Sequence, residues 1–142
     1  MDIADVRRRL RAAIEAARRD AAERRARADG AERDYATFLD DRAIPVFRDV
    51  ANALAGEGHP FKVFTPARSV RLASEHSAAD FIDLELDATE DPPQVIGRSS
   101  RGRGRRMVTT ERPVRDGAAI AELTEEDVLA FLVSEIVHFL AR

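Results

Sequence analysis

The first 29 residues contain neither proline nor glycine, and most of them are alanine, arginine or glutamate. These residues are strong helix formers, so a helix is predicted over residues 3–28, with Asp2 as its N-terminal cap and Gly30 as a break after it. Large apolar side chains are sparse in this segment. The chain must therefore combine a charged helical front end with a hydrophobic core built from later residues.

Five apolar residues of the front end recur at alternating intervals of three and four, which is the spacing of a coiled-coil face. They are Ile3, Val6, Leu10, Ala13 and Ala17. The next positions in phase are charged, so the pattern covers two heptads and falls short of the three or four that define a coiled coil. Two interpretations stay open: a helix that packs on the next helix or on another subunit, and a partly exposed solubilising arm.

The large apolar residues are concentrated in residues 35–86 and 120–140. A second helical pattern runs from Glu32 to Ala55, and Pro45 interrupts it. Proline removes a helical hydrogen bond and clashes with the preceding turn. We therefore expect either one kinked helix or two helices that meet near Asp40-Asp41, with an aspartate capping the second.

From residue 61 onward the pattern becomes that of strands. Strands are predicted at Phe61–Phe64, Val70–Leu72, Phe81–Asp87, Gln94–Arg98 and Arg105–Glu111. In residues 81–87 three aliphatic residues alternate with three acids, Asp83, Glu85 and Asp87, which predicts a half-buried antiparallel strand with an acidic solvent face. Gly102 and Gly104 indicate a hairpin between the last two strands.

The last segment begins with Thr124 as a helix cap, followed by acids that suit the positive end of the helix dipole. Its apolar residues form a face wide enough to cover a sheet: Val128, Leu129, Leu132, Ile136, Phe139 and Leu140. The predicted fold is α+β, with an N-terminal helical pair or kinked helices, then a four- to five-stranded antiparallel meander covered by a C-terminal helix. We expect residues 1–30 to form a charged helix, as an arm or a coiled-coil-like element, and residues 31–142 to form a single α+β domain.

Composition restricts the chemistry. The chain has 142 residues and no cysteine, which excludes disulfides, thiolate metal sites and thiol catalysis. His59, His76 and His138 fit no metal-binding spacing. We expect no catalytic residue, no metal and no cofactor, and hence no enzyme. An acidic start without an apolar run after it, and no span of about 18 apolar residues, predict a cytoplasmic protein without a membrane segment.

The most unusual local feature is basic. The net charge is −3, yet residues 92–116 carry seven arginines against two acids. Five arginines lie within nine residues: Arg98, Arg101, Arg103, Arg105 and Arg106. Such a hairpin can follow a phosphate backbone, but stacking aromatics are missing. The competing interpretation is a solvated tip that balances the acids of the strand at 81–87.

Two functions follow from these patterns. The leading prediction is a non-catalytic interaction or assembly module that associates with a second copy or with a protein partner through the N-terminal helix. The residues assigned to that contact are Ile3, Val6, Leu10, Ile14 and Ala17. The alternative is a nucleic-acid-binding protein that uses the five hairpin arginines.

Overall fold

The computed structural model describes residues 1–140 as three helices and five strands. Helix α1 (Ile3–Phe38) continues through one π-helical turn (Leu39–Ala43) into α2 (Ile44–Gly56). The strands are β1 (Phe61–Phe64), β2 (Val70–Ser74), β3 (Phe81–Asp87), β4 (Gln94–Arg103) and β5 (Arg106–Pro113). A short 3₁₀ turn at Ile120–Glu122 leads into α3 (Glu125–Leu140).

The strands form one antiparallel meander in the order β1-β2-β3-β4-β5. One face of the sheet carries Leu72, Ile82, Leu84 and Val95, all buried in a single hydrophobic core with residues of α2 and α3. The end of α1 enters the same core. The predicted α+β fold, with its meander and covering C-terminal helix, is confirmed.

Helix α1 begins as predicted but does not end at Gly30. The Asp2 carboxylate accepts a hydrogen bond from the Ala4 N–H at 3.0 Å. The helix then passes through Gly30 and continues to Phe38, so the break predicted there is wrong. A single glycine costs a helix only about 1 kcal/mol, and burial of Ala31, Tyr35 and Phe38 directly after it stabilises the helical path.

The junction of α1 and α2 accommodates Pro45 without an aspartate cap. The Ile44 N–H bonds to the Leu39 carbonyl, which is a π-type hydrogen bond, and Pro45 lies in the first turn of α2. Proline has no N–H and cannot pack against the carbonyl four residues earlier, so a widened turn removes the clash. The N-cap of α2 is Ala43, which makes no side-chain capping bond. The aspartate cap predicted at Asp40-Asp41 is therefore wrong.

The hairpin and the last helix lie where the sequence predicts them, and the two hairpin strands are longer than predicted. β4 and β5 meet at a two-residue turn, Gly104-Arg105, and Gly104 takes the positive φ of 60° that such turns need. At the start of α3, Thr124 and Asp127 exchange backbone-to-side-chain hydrogen bonds of 2.9 and 3.1 Å, which confirms the predicted threonine cap.

Two expectations about exposed faces were wrong. Leu129 was assigned to the sheet-covering face of the last helix but is 39% exposed. Asp83, expected on a solvent face, is 1% exposed because the arginines of the neighbouring strands cover it. The alternation in β3 was correct, but the opposite face of the sheet is covered by long basic side chains instead of water.

Candidate interaction surface

The N-terminal part of α1, residues 3–26, is called the arm below. None of its side chains is buried in this chain. Three large aliphatic residues of the arm stand in solvent, since Ile3 is 68% exposed, Leu10 56% and Ile14 49%. Val6 is half-buried and Ala17 is exposed. The arm's apolar residues are therefore not covered by the second helix or by the sheet.

Contacts at the other end of α1 hold it to the sheet. Arg27 donates to both carboxylate oxygens of Asp91, at 3.0 and 3.3 Å. Arg68 pairs with Glu32. The Tyr35 hydroxyl lies 2.8 Å from the Arg68 carbonyl oxygen and 3.3 Å from that of Leu84. Burial, followed by the nearby charges of Glu85 and Asp83, raises the pKa of Tyr35 well above its ordinary value, so the hydroxyl stays a neutral donor.

Helical geometry gathers the apolar residues of the arm into one stripe. At about 100° per residue, the five predicted contact residues span roughly 80° of the helix circumference. Their order along the helix is Ile3, Val6, Leu10, Ile14 and Ala17. The stripe is about 21 Å long at 1.5 Å per residue. The structure thus places all five together, on a helix face that this chain leaves uncovered.

The five hairpin arginines are not gathered in this way. Arg98 lies on the outer sheet face and pairs with Asp83 at 2.9 Å and Glu85 at 3.3 Å. Arg101 donates to the His138 carbonyl near the end of α3, at 3.2 Å. The other three, Arg103, Arg105 and Arg106, are exposed at the hairpin tip. Two of the five arginines therefore have structural partners, and three remain as a cationic tip.

A row of opposite charges crosses the outer face of the sheet. Paired residues of successive strands place Arg71, Asp83, Arg98 and Glu111 side by side. Asp83 accepts from both neighbouring arginines at 2.9 Å, and the Arg71 guanidinium lies 3.8 Å from the centre of the Phe81 ring. The hydrogen bonds to Asp83 raise the pKa of Arg98. The arginine side chains therefore cover the outer face of the sheet, and Arg98 balances the charge of Asp83 there.

A second apolar surface was missed by the sequence prediction. A groove of about 360 Å³ separates α2 from α3, and Leu129 lines it. Further along α3, Val133 and Val137 are 53% and 50% exposed. Residues four apart lie near one another on a helix face, so these three form a row. The signal available in the sequence was a last helix that is apolar on more than one face.

The carboxylate of Glu135 occupies the opposite side of α3. Glu135 is buried against the sheet, where the Ser99 hydroxyl donates to it at 2.8 Å and Arg112 at 2.7 Å. Arg112 also lies 4.7 Å from the centre of the Phe131 ring. These contacts pair the charge inside the fold, so Glu135 attaches α3 to β4 and β5 and leaves the outward surface of α3 uncharged there.

Within residues 1–140, no group of three or more histidine, aspartate or glutamate side chains is arranged to hold a metal ion. Across the same residues, no helix combines the length and the apolar character that a membrane crossing requires. Comparisons with protein-family models, with curated proteins and with solved structures found no match to this chain.

Proposed function

We propose that this protein is a non-catalytic assembly module, which associates with a second copy of itself through the apolar stripe of the arm. The observation that carries the proposal is the exposure of Ile3, Leu10 and Ile14 on a helix whose other end is anchored in the core. Aliphatic side chains in water are unfavourable by roughly 1.5–3 kcal/mol each relative to burial. Burial of the stripe therefore provides a driving force for association.

The helix itself supports this use. Asp5 pairs with Arg8 and, at 3.3 Å, with Arg9 on the surface away from the stripe. Such pairs three or four residues apart stabilise a helix that has no tertiary contacts. The arm thus presents its stripe in a preformed conformation, which reduces the ordering cost of association.

Association can be tested by sedimentation equilibrium of the full chain over a wide concentration range. We expect assembly above the 15.8 kDa chain mass, and loss of assembly in Leu10→Glu/Ile14→Glu. The matched control, Ala12→Glu/Ala26→Glu, introduces the same charges on the far side of the arm and should assemble like the wild type. A wild-type protein that stays monomeric throughout, or a stripe variant that assembles normally, contradicts the proposal.

The second candidate function is nucleic-acid binding by the exposed tip arginines Arg103, Arg105 and Arg106. Phosphate binding by such a tip weakens steeply with salt, because bound counterions are released. The test is fluorescence anisotropy of a labelled duplex and a labelled single strand at low and moderate salt. The triple alanine variant at these positions should lose binding, whereas Arg19→Ala on the arm should not. Absence of binding at low salt removes this candidate.

A further inference from the structure

The groove between α2 and α3 has an apolar floor and an acidic rim. Its apolar lining residues are Val46, Val50, Ala53 and Leu129, and its charged ones are Asp49, Glu125 and Glu126. All three charges are negative, and they lie on both helices. The surface thus suits an apolar segment that is accompanied by positive charge.

The row of exposed residues on α3 extends this groove. Leu129, Val133 and Val137 are separated by four residues each, and the one carboxylate between Asp127 and Leu140, Glu135, faces the sheet. From Glu125 to Val137 the surface is about 18 Å long at 1.5 Å per residue. The arm's stripe has nearly the same length, about 21 Å by the same measure.

The arm carries the complementary charge on a flank of its stripe. At about 100° per residue, Arg7, Arg11 and Arg18 lie along one side of the stripe, within about 100° of its centre. By the same projection the acids Asp5, Glu15 and Glu23 fall on the far side of the helix, and Asp20 lies on the flank opposite the arginines. A helix with an apolar stripe and a basic flank matches a groove with an apolar floor and an acidic rim.

We infer that the α2–α3 groove receives the arm of a second copy of this chain, an inference that rests on the proposed function. The chain's own arm cannot occupy its groove, because α1 is unbroken from Ile3 to Phe38. Ile14 lies about 36 Å along the helix from Phe38. Each copy contributes one arm and one groove, so a pair of copies that exchange arms satisfies both surfaces in a closed, two-fold dimer.

The groove variant Leu129→Glu/Val133→Glu tests this against direct arm–arm pairing. Both positions are exposed, so we expect its thermal unfolding to match the wild type at a concentration low enough for both to be monomeric, and Val137→Glu replaces it if it does not. Association should weaken about tenfold or more, equivalent to about 1.4 kcal/mol. The control Asn52→Glu, an exposed α2 position turned away from the groove, should associate normally.

Mixing separates the two modes of association. The arm variant Leu10→Glu/Ile14→Glu keeps an intact groove, and the groove variant keeps an intact arm. In an equimolar mixture we expect a species of twice the chain mass, formed by one intact arm–groove contact.

A charge exchange supplies the second measurement. Arg11→Glu and Asp49→Arg should each weaken association, and the chain that carries both substitutions should recover it.

The outcomes distinguish the two proposals. If the groove variant associates normally and the arm variant does not associate, the groove assignment is overturned and the proposed function stands. If neither variant associates, and association is restored neither in the mixture nor by the charge exchange, the groove assignment is also overturned. Normal association of both variants, or a monomeric wild type, overturns the proposed function as well.

Discussion

The two ends of α1 belong to one helix but have different surroundings. In the arm, Leu10 and Ile14 are about half exposed, whereas Tyr35 and Phe38 at the other end are 2% and 0% exposed. The strict alternation of three and four fails after Ala17, but Ala21, Ala28 and Ala31 still project onto the side of the helix that carries the stripe. Since a straight helix drifts about 20° per heptad, the exposed stripe and the buried face form one slowly rotating band. The pattern alone marks an apolar face and does not reveal what covers it.

The largest expected contrast is between truncations at the two ends of this band. Phe38→Ala should lower the free energy of unfolding by about 3–5 kcal/mol, because it leaves a cavity in a packed core. Leu10→Ala should change the stability of the monomer by less than about 0.5 kcal/mol. Urea denaturation at low protein concentration measures both. A similar loss for the two variants would show that the arm is packed within its own chain.

A smaller effect is expected at Gly97, where the strand packs closely against α3. Gly97 in β4 faces the Phe131 ring, and a Cβ at that position would overlap the ring. Gly97→Ala should therefore destabilise the fold by about 1–3 kcal/mol through overpacking. The companion variant Phe131→Leu/Gly97→Ala should recover part of the loss in the same denaturation measurement. Full tolerance of Gly97→Ala would mean that α3 is not seated on β4 as described.

The glycine between the two ends of α1 should respond in the opposite direction. Gly30 is helical, and a Cβ there would meet only the end of the Arg33 side chain, at 3.9 Å. Gly30→Ala should increase stability by about 0.5–1 kcal/mol, because alanine loses less conformational freedom in a helix. Circular dichroism during thermal unfolding measures the gain. A loss of stability would indicate that the helix does not continue through this position.

The smallest expected effect depends on pH. Burial alone would raise the pKa of Asp127, but hydrogen bonds from Thr124 and the ion pair with Arg115 outweigh it and lower this pKa below its ordinary 3.8. The stabilisation is therefore complete above that value and is lost as the pH falls through the folded-state pKa. Asp127→Asn should cost about 0.3–1 kcal/mol near neutral pH. This difference should disappear in acid, whereas Asp20→Asn in the arm should have little effect at any pH.

The sequence predicted the parts of the molecule that depend on local pattern. Thr124 as a cap, the Gly104 turn and the alternation in β3 are all determined within a few residues. The errors arose where distant residues decide the outcome. Gly30 remains helical because Tyr35 and Phe38 are buried, and Asp83 is covered because strand register places Arg71 and Arg98 beside it.

The candidate surfaces divide in the same way. The arm's stripe was visible as a spacing in one segment. The α2–α3 groove was not, because it needs Val46 and Val50 from one helix beside Leu129 from another, some 80 residues later. For the hairpin arginines, proximity in sequence did not reveal that Arg98 and Arg101 point to opposite faces of the sheet.

Because α1 is unbroken, the number of residues in it fixes both the distance of the stripe from the core and the direction in which the stripe faces. Inserting one residue between Asp20 and Ala26 would displace the stripe by about 1.5 Å and turn it by about 100° about the helix axis, with its composition unchanged. Inserting seven would restore nearly the original direction at about 10 Å greater reach. The direction in which the arm presents its stripe is thus determined by the number of residues before Phe38.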